Sequence, residues 1–263
     1  TVRQLIRKDN KKYSMPYCRI KDAPAFPVRG LMLDVGRNYM SVPFLKSVVR
    51  RLSHYKINVL HLHLSDDPGW RVEVNKYPEL TVETSFWPTR QPGKFYTQED
   101  IKSICDFCDS LNIRVIPEID MPGHSAAFRK AIGKDMQTPE GMQVLKEALD
   151  EIIPLFKDSL FHIGSDEVHF KMKEFMPEMI RYVRSKGKQV VVWYPGYAPD
   201  SNAVRMCWGE YEAGYSLDKS APYIDCNGFY MDWMDSQGGV LQTFFQYPCE
   251  VPQAGGKALG SEM

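Results

Sequence analysis

The chain of 263 residues lacks an excess of either charge, since Lys plus Arg and Asp plus Glu number 33 each. That balance removes the electrostatic case for nucleic acid or an anionic membrane surface as partner. No run of 18 apolar residues occurs, so no membrane span is expected. The opening "TVRQLIRKDNKKY" has no apolar stretch of the signal-peptide kind, and a chain that starts on Thr1 leaves a leader neither indicated nor excluded. A disulfide framework is also missing. Cysteines occur at 18, 105, 108, 207, 226 and 249, and the single CxxC lies in "TQEDIKSICDFCDSLNI". There Ile101, Ile104, Cys105, Cys108 and Leu111 form one helical apolar stripe, with no second CxxC and no histidine at metal spacing. Core thiols are therefore expected, not a zinc or redox site. Finally, no glycine-rich phosphate turn follows the first apolar run, which argues against a dinucleotide-binding open sheet.

What the sequence does contain is a regular alternation. Short β-branched or apolar runs stand at 29–35, 57–64, 113–119, 159–164, 189–194, 203–208, 224–230 and 257–262. Helix-period segments separate most of them. "SVPFLKSVVRRLSHY" has Ser41 as its N-cap, Pro43 in its first turn and a stripe of Phe44, Leu45, Val48, Leu52 and Tyr55. Thr97 with Asp100 predicts a capping box, and Thr138 followed by Pro139 opens another helix. "FKMKEFMPEMIRYVRSKG" reads as a helix interrupted by Pro177 and stopped at Gly187, and "GGVLQTFFQY" as a weaker one. Continuous apolar runs alternating with helices are the pattern of buried parallel strands. Eight of them in about 250 residues predict a (β/α)8 barrel. The barrel is expected to be irregular after strand five, where "PGYAPDSN" is too short for a helix, and truncated at the last strand–helix unit. Residues 1–28 read as a lead-in segment and 29–263 as the C-terminally incomplete barrel.

Catalytic groups of such barrels come from the C-terminal strand ends, and the polar residues cluster there. Asp34 and Arg37 follow the first strand. His63, Asp66, Asp67, Trp70 and Arg71 end or follow the second, and Glu118, Asp120 and His124 the third. Asp166 and Glu167 follow the fourth. Trp193, Trp208, and Tyr230 with Asp232 close strands five to seven. Two adjacent carboxylates, Asp166 and Glu167, are expected to repel and to raise one another's pKa.

The segments "RGLMLDVGRNY", "NVLHLHLSDDPGWRVEV", "VIPEIDMPGHS", "FHIGSDEV" and the Tyr-x-Asp of "FYMDW" occur in an order and spacing that resemble glycoside hydrolase family 20, the β-N-acetylhexosaminidases. The similarity runs from about Pro27 to the end, with Ser165 where the family usually has Gly, a mild change. The family's small preceding domain is missing from the chain, and "ALGSEM" stops before the Trp and Glu expected beyond it. The resemblance implies a glycan substrate with a terminal N-acetylhexosamine and no metal or organic cofactor. It also implies Glu167 as general acid and then base, with Asp166 holding the 2-acetamido N–H. Tyr230 would orient the acetamido oxygen, and His124 would link Asp66 to Glu167. Trp193 and Trp208 would wall the acetamido pocket, and Arg29 and Asp232 would bind sugar hydroxyls.

Three other readings compete. His61-x-His63 with Asp66, His124, His162 and Asp166 has the inventory of a metal-dependent barrel hydrolase; in the bland alternative the two histidines fill the barrel interior. Glu118 could serve as nucleophile opposite Glu167 in an ordinary retaining glycosidase. A non-catalytic amino-sugar-binding barrel is the third.

Overall fold

The computed structural model describes residues 5–197, 202–208, 221–228, 231 and 257–263. Eight strands carry the fold: β1 (Val28–Asp34), β2 (Val59–His63), β3 (Arg114–Glu118), β4 (Leu160–His162), β5 (Gln189–Tyr194), β6 (Val204–Cys207), β7 (Pro222–Asp225) and β8 (Lys257–Glu262). They pair in chain order, every pair is parallel, and β8 returns to β1 to close the barrel. The expected (β/α)8 core is therefore present. Strand periodicity divides it into two hydrophobic layers. Val28, Val59, Ile116, Leu160, Val191, Val204, Met206 and Ile224 form a cluster drawn from successive strands, which fills the interior. Leu60, Leu62, Val115, Phe161, Val190 and Val192 face outward into the larger cluster shared with the helices. Each such aliphatic side chain, fully buried, contributes about 1.5–3 kcal/mol.

The described helices are α1 (Val42–His54), α2 (Gln98–Asp109), α3 (Ala126–Ile132), α4 (Pro139–Ile152) and α5 (Phe175–Ser185). Ser41, Thr97 and Thr138 cap α1, α2 and α4, and α2 has the full capping box expected from Thr97 and Asp100. Each cap contributes on the order of 1 kcal/mol. Three expectations need adjustment. On α1 the buried positions are Leu45, Val49 and Leu52, while Phe44 and Tyr55 face solvent, so the stripe is rotated by about one residue. In α5 Pro177 does not interrupt a helix. It lies in the first turn, where its missing N–H costs nothing. β7 starts two residues before the expected 224 and ends at Asp225. Asn227 then turns the chain through its N–H to Asp225 Oδ1, with Gly228 at φ +74°. The short α3 was not anticipated. The segment 238–247 expected to be helical lies outside the described residues. Cys105 and Cys108 are buried on α2, and burial pushes both thiols up to about 12, as befits core residues. Among the described residues no helix is long and apolar enough to cross a membrane.

Candidate active site

The C-terminal ends of the strands surround a cavity of about 720 Å³. Asp34 and Arg37 reach it from the end of β1, His63 from β2, and Asp120 and His124 from the loop after β3. Asp166 and Glu167 enter after β4, Trp193 from β5, Trp208 after β6, and Glu262 from β8. Of the predicted site residues, five line this cavity: His124, Asp166, Glu167, Trp193 and Trp208. Asp66 lies just behind it, 2% exposed. Tyr230 and Asp232 lie outside the described residues.

The loop after β4 is wound tightly, with Gly164, Ser165 and Glu167 all at positive φ (+66°, +97° and +47°). At Gly164 a side chain is impossible, because a Cβ would stand 1.6 Å from Asp120 Oδ1. Ser165 has to adopt a conformation that favours glycine, and its buried hydroxyl has no hydrogen-bond partner among the described residues. The serine there is thus a strained choice, not the mild change the sequence suggested. On the facing loop, Gly123 allows the backbone to approach: a Cβ would come within 2.9 Å of the Asp166 carbonyl oxygen. His124 beside it sits at φ +45°.

This winding sends the two adjacent carboxylates to different places. Glu167 is 59% exposed at its side chain and stands 3.4 Å from His124 Nε2. Asp166 turns inward, and its Oδ1 is buried with no hydrogen-bond partner among the described residues. Its carboxyl is raised to about 6, by burial first and by the charge on Glu118 second, while Glu167 ranks below both. Mutual repulsion within the pair, the expectation from sequence, is therefore a minor cause. Asp120 has both oxygens unpartnered among the described residues. Burial, then Glu118 and Asp166, push its carboxyl well above the ordinary range.

Behind His124 the polar groups form a continuous line. His124 Nδ1 is 3.6 Å from Asp66 Oδ2. That oxygen also meets Arg37 Nη2 at 2.7 Å and His63 Nε2 at 3.0 Å. Asp66 Oδ1 accepts the Asp67 N–H at 2.5 Å, and Asp67 Oδ1 in turn accepts the Ala126 N–H at 2.8 Å, pinning the start of α3 and hence the His124 loop. Arg37 is held on its other side by Asp34, at 2.6 Å.

Residues 26–141 match the family model of the glycosyl hydrolase family 20 catalytic domain. A β-hexosaminidase from Vibrio furnissii is 33% identical over 250 residues, which span 73% of this chain and 41% of that protein. The chain belongs to glycosyl hydrolase family 20. A Flavobacterium johnsoniae chitobiase superposes with a TM-score of 0.76 at 30% identity, over 89% of this chain and 43% of its own. The family 20 exo-β-N-acetylglucosaminidase of Vibrio harveyi, solved in complex with N-acetylglucosamine, gives 0.73 at 27% identity over 87% and 46%. The chain thus spans less than half the length of these relatives.

Membership in family 20 does not protect every residue assignment. Arg29 is misassigned. It sits at the start of β1, at the N-terminal end of the barrel, where its Nε donates to the Lys56 carbonyl at 2.8 Å and its Nη1 to Phe26 at 2.6 Å. A guanidinium gripping carbonyls at the foot of the barrel cannot reach the cavity. Arg37 stands in the cavity instead, and the signal for it was Asp34 three residues earlier, an anchor for a fork-shaped donor.

Two of the rival chemistries also meet the family 20 interior. Glu118 is sealed inside the barrel and engaged by Trp193 Nε1 and His63 Nδ1, each at 2.6 Å, so it has no path to a sugar carbon. The His-x-His pair is committed to carboxylates. His63 uses both ring nitrogens, on Glu118 and Asp66, and His61 Nδ1 meets Glu262 Oε1 at 2.7 Å. Burial would lower both imidazoles, but the neighbouring carboxylates outweigh it, raising His61 to about 9 and His63 well above its ordinary value. His162, whose Nδ1 accepts the Gly164 N–H at 3.0 Å, is pushed down to about 4 by burial and stays neutral. The interior placement of His61 and His63 follows the bland alternative.

Proposed function

We propose that this barrel is the catalytic unit of a retaining exo-glycosidase that removes terminal β-linked N-acetylhexosamine with the substrate's own 2-acetamido group as nucleophile. The observation that carries the reading is the divergence of Asp166 and Glu167 from a single loop. Neighbours in sequence cannot flank a glycosidic bond as acid and nucleophile some 5 Å apart, and Glu118, the other carboxylate considered for attack, is sealed. The attacking atom then comes from the substrate. The N-acetylglucosamine bound to the Vibrio harveyi enzyme supports the choice of sugar.

In the first step the acetamido oxygen bonds to C1, the C1–O bond to the leaving group breaks, and Glu167 gives its proton to the departing oxygen. In the second, Glu167 as carboxylate takes a proton from water, the water oxygen bonds to C1, and the oxazolinium C1–O bond opens. Two inversions at C1 give net retention. Asp166 accepts the acetamido N–H and offsets the positive charge that develops on it. Glu167 acts as a proton carrier at the exposed rim, where a leaving group and then water can enter, backed by His124 and Asp66. Trp193 and Trp208 pack the acetamido methyl, and Arg37 replaces Arg29 as the fork for sugar hydroxyls, with its geometry set by Asp34 and Asp66. Tyr230 and Asp232 keep the roles that the resemblance implies. All bonds made and broken are supplied by carboxylates, amide and water, so the reaction needs no metal or organic cofactor. The substrate class points to a periplasmic, secreted or lysosomal setting.

The test is a substrate series. Aryl β-N-acetylglucosaminide and N-acetylgalactosaminide should be hydrolysed and the plain glucoside should not. Adding fluorine stepwise to the acetamido methyl weakens the attacking oxygen, and the rate should fall steeply with each atom. A flat response, or turnover of the plain glucoside, overturns the mechanism.

A further inference from the structure

Glu118 ends β3 deep inside the barrel and does not line the cavity, yet it touches both halves of the site. Its Oε1 accepts the indole N–H of Trp193 at 2.6 Å. Its Oε2 lies 2.6 Å from His63 Nδ1, and the opposite nitrogen of that ring lies 3.0 Å from Asp66 Oδ2. Carboxylates only accept, so an imidazole placed between two of them has to carry both protons. Beyond Asp66 the line runs through His124, at 3.6 Å, to Glu167, at 3.4 Å. Trp193 forms one wall of the pocket and Glu167 its acidic rim, and the chain of contacts joining them passes through Glu118.

We propose that Glu118 is a positioning residue that couples the Trp193 wall of the acetamido pocket to the His63–Asp66–His124 arm behind Glu167, an inference that rests on the reaction proposed above. A buried carboxylate is a costly way to stabilise a barrel, since apolar residues of similar volume often serve as well as a buried ion pair. The residue type follows from the coupling. Gln could accept the indole N–H with its oxygen, but its NH2 would then face His63 Nδ1, which would have to give up its proton and charge. Asp is shorter by one CH2 and could not span both contacts. Only an anion of this reach fixes the indole plane and keeps His63 a double donor. The same charge is felt across the pocket, where Glu118 ranks next to burial in raising the carboxyls of Asp166 and Asp120.

The experiment compares Glu118→Gln with the unaltered protein on an aryl β-N-acetylglucosaminide across pH 4 to 9. Coupling predicts a kcat loss on the order of 10–100-fold, together with an acidic limb displaced to lower pH because the charge opposing Asp166 ionisation is gone. A kcat within threefold and an unmoved limb overturn the proposal. Should Glu118→Gln fail to fold, Trp193→Phe and His63→Gln are combined instead, since both side chains meet Glu118. Their losses should fail to multiply by at least about fivefold, within the range for residues sharing one network; losses that simply multiply overturn the proposal. An unaltered protein with no hydrolysis at any pH tells against the reaction, not against Glu118. The coupling is then read from labelled Trp193 and His124 ring resonances. Glu118→Gln, or His63→Gln if that variant does not fold, should move both, and an unmoved His124 signal overturns it.

Discussion

Replacing Asp166 with Asn keeps the shape of the inward-facing side chain and removes its charge, and the structure sets both the size and the pH signature of the loss. Asp166 has an oxygen buried against the cavity with no protein partner among the described residues, which leaves it free to meet a charge forming on the acetamido nitrogen. A unit charge pair about 4 Å apart at an effective dielectric of about 20 interacts by about 4 kcal/mol. Losing one preorganised electrostatic partner typically costs about 10²–10³ in kcat, and the two figures agree. The pH dependence is the sharper test. The working form is the anion, and burial with Glu118 has raised the carboxyl to about 6. Activity should therefore be retained above pH 6 and fall about tenfold per unit below it. In Asp166→Asn that limb has no group to generate it and should vanish, leaving a low rate that is flat across pH 5 to 7. The assay is kcat/KM for an aryl β-N-acetylglucosaminide, with circular dichroism to confirm folding at each pH. A variant that keeps more than a tenth of the activity, or that keeps the limb near pH 6, refutes the assignment of both roles to Asp166.

Glu167→Gln should lose far more activity on substrates with poor leaving groups than on activated aryl glycosides, because only the former need a proton; equal losses on both would remove Glu167 from the acid role. Ser165→Gly should relieve the φ of +97° and the unpartnered hydroxyl, adding about 1 kcal/mol of stability, or about 2–4 °C in Tm for a chain of this size. A lowered Tm would show that the serine is not strained. On the alkaline side, the folded His61 imidazole at about 9 lies above its ordinary 6.5. Its contribution to stability is complete below about pH 6.5 and lost as pH rises through 9. Thermal melts should drop between pH 8 and 10, and a flat Tm there would mean that the interior ion pairs carry no stability.

Much of the barrel could be read from the chain because parallel strands buried on both faces leave continuous apolar runs. β5 and β8 have the bounds their runs suggest, five others lie within two residues of theirs, and β7 overlaps its run only at Ile224 and Asp225. The α2 capping box was legible because a capping motif is local chemistry spanning four residues. The face of α1 was not, since Phe44 and Val49 are equally apolar and only the packing decides which one points at the barrel. The same limit separates Arg29 from Arg37. Both flank one motif, and the choice depends on which end of β1 each occupies, a matter of strand boundaries that apolar patterning sets only to within a few residues.

The least legible feature was the electrostatics of the paired carboxylates. Sequence adjacency suggests that Asp166 and Glu167 act chiefly on one another, and in a strand or helix of ordinary geometry their charges would share one environment. Here three positive φ angles in four residues turn Asp166 into the pocket and leave Glu167 at the rim. The charge that governs Asp166 besides burial is then Glu118, on a different strand, 48 positions earlier in the chain. The inward turn also depends on glycine where backbone and side chain meet: Gly164 makes room for Asp120, and Gly123 for the Asp166 carbonyl. The winding of the loop thus does the chemical sorting, giving one carboxyl an interior that raises it to about 6 and the other access to solvent and His124. The separation of the two duties, charge partner in the pocket and proton carrier at the rim, follows from the backbone path that keeps the two side chains apart and not from mutual repulsion.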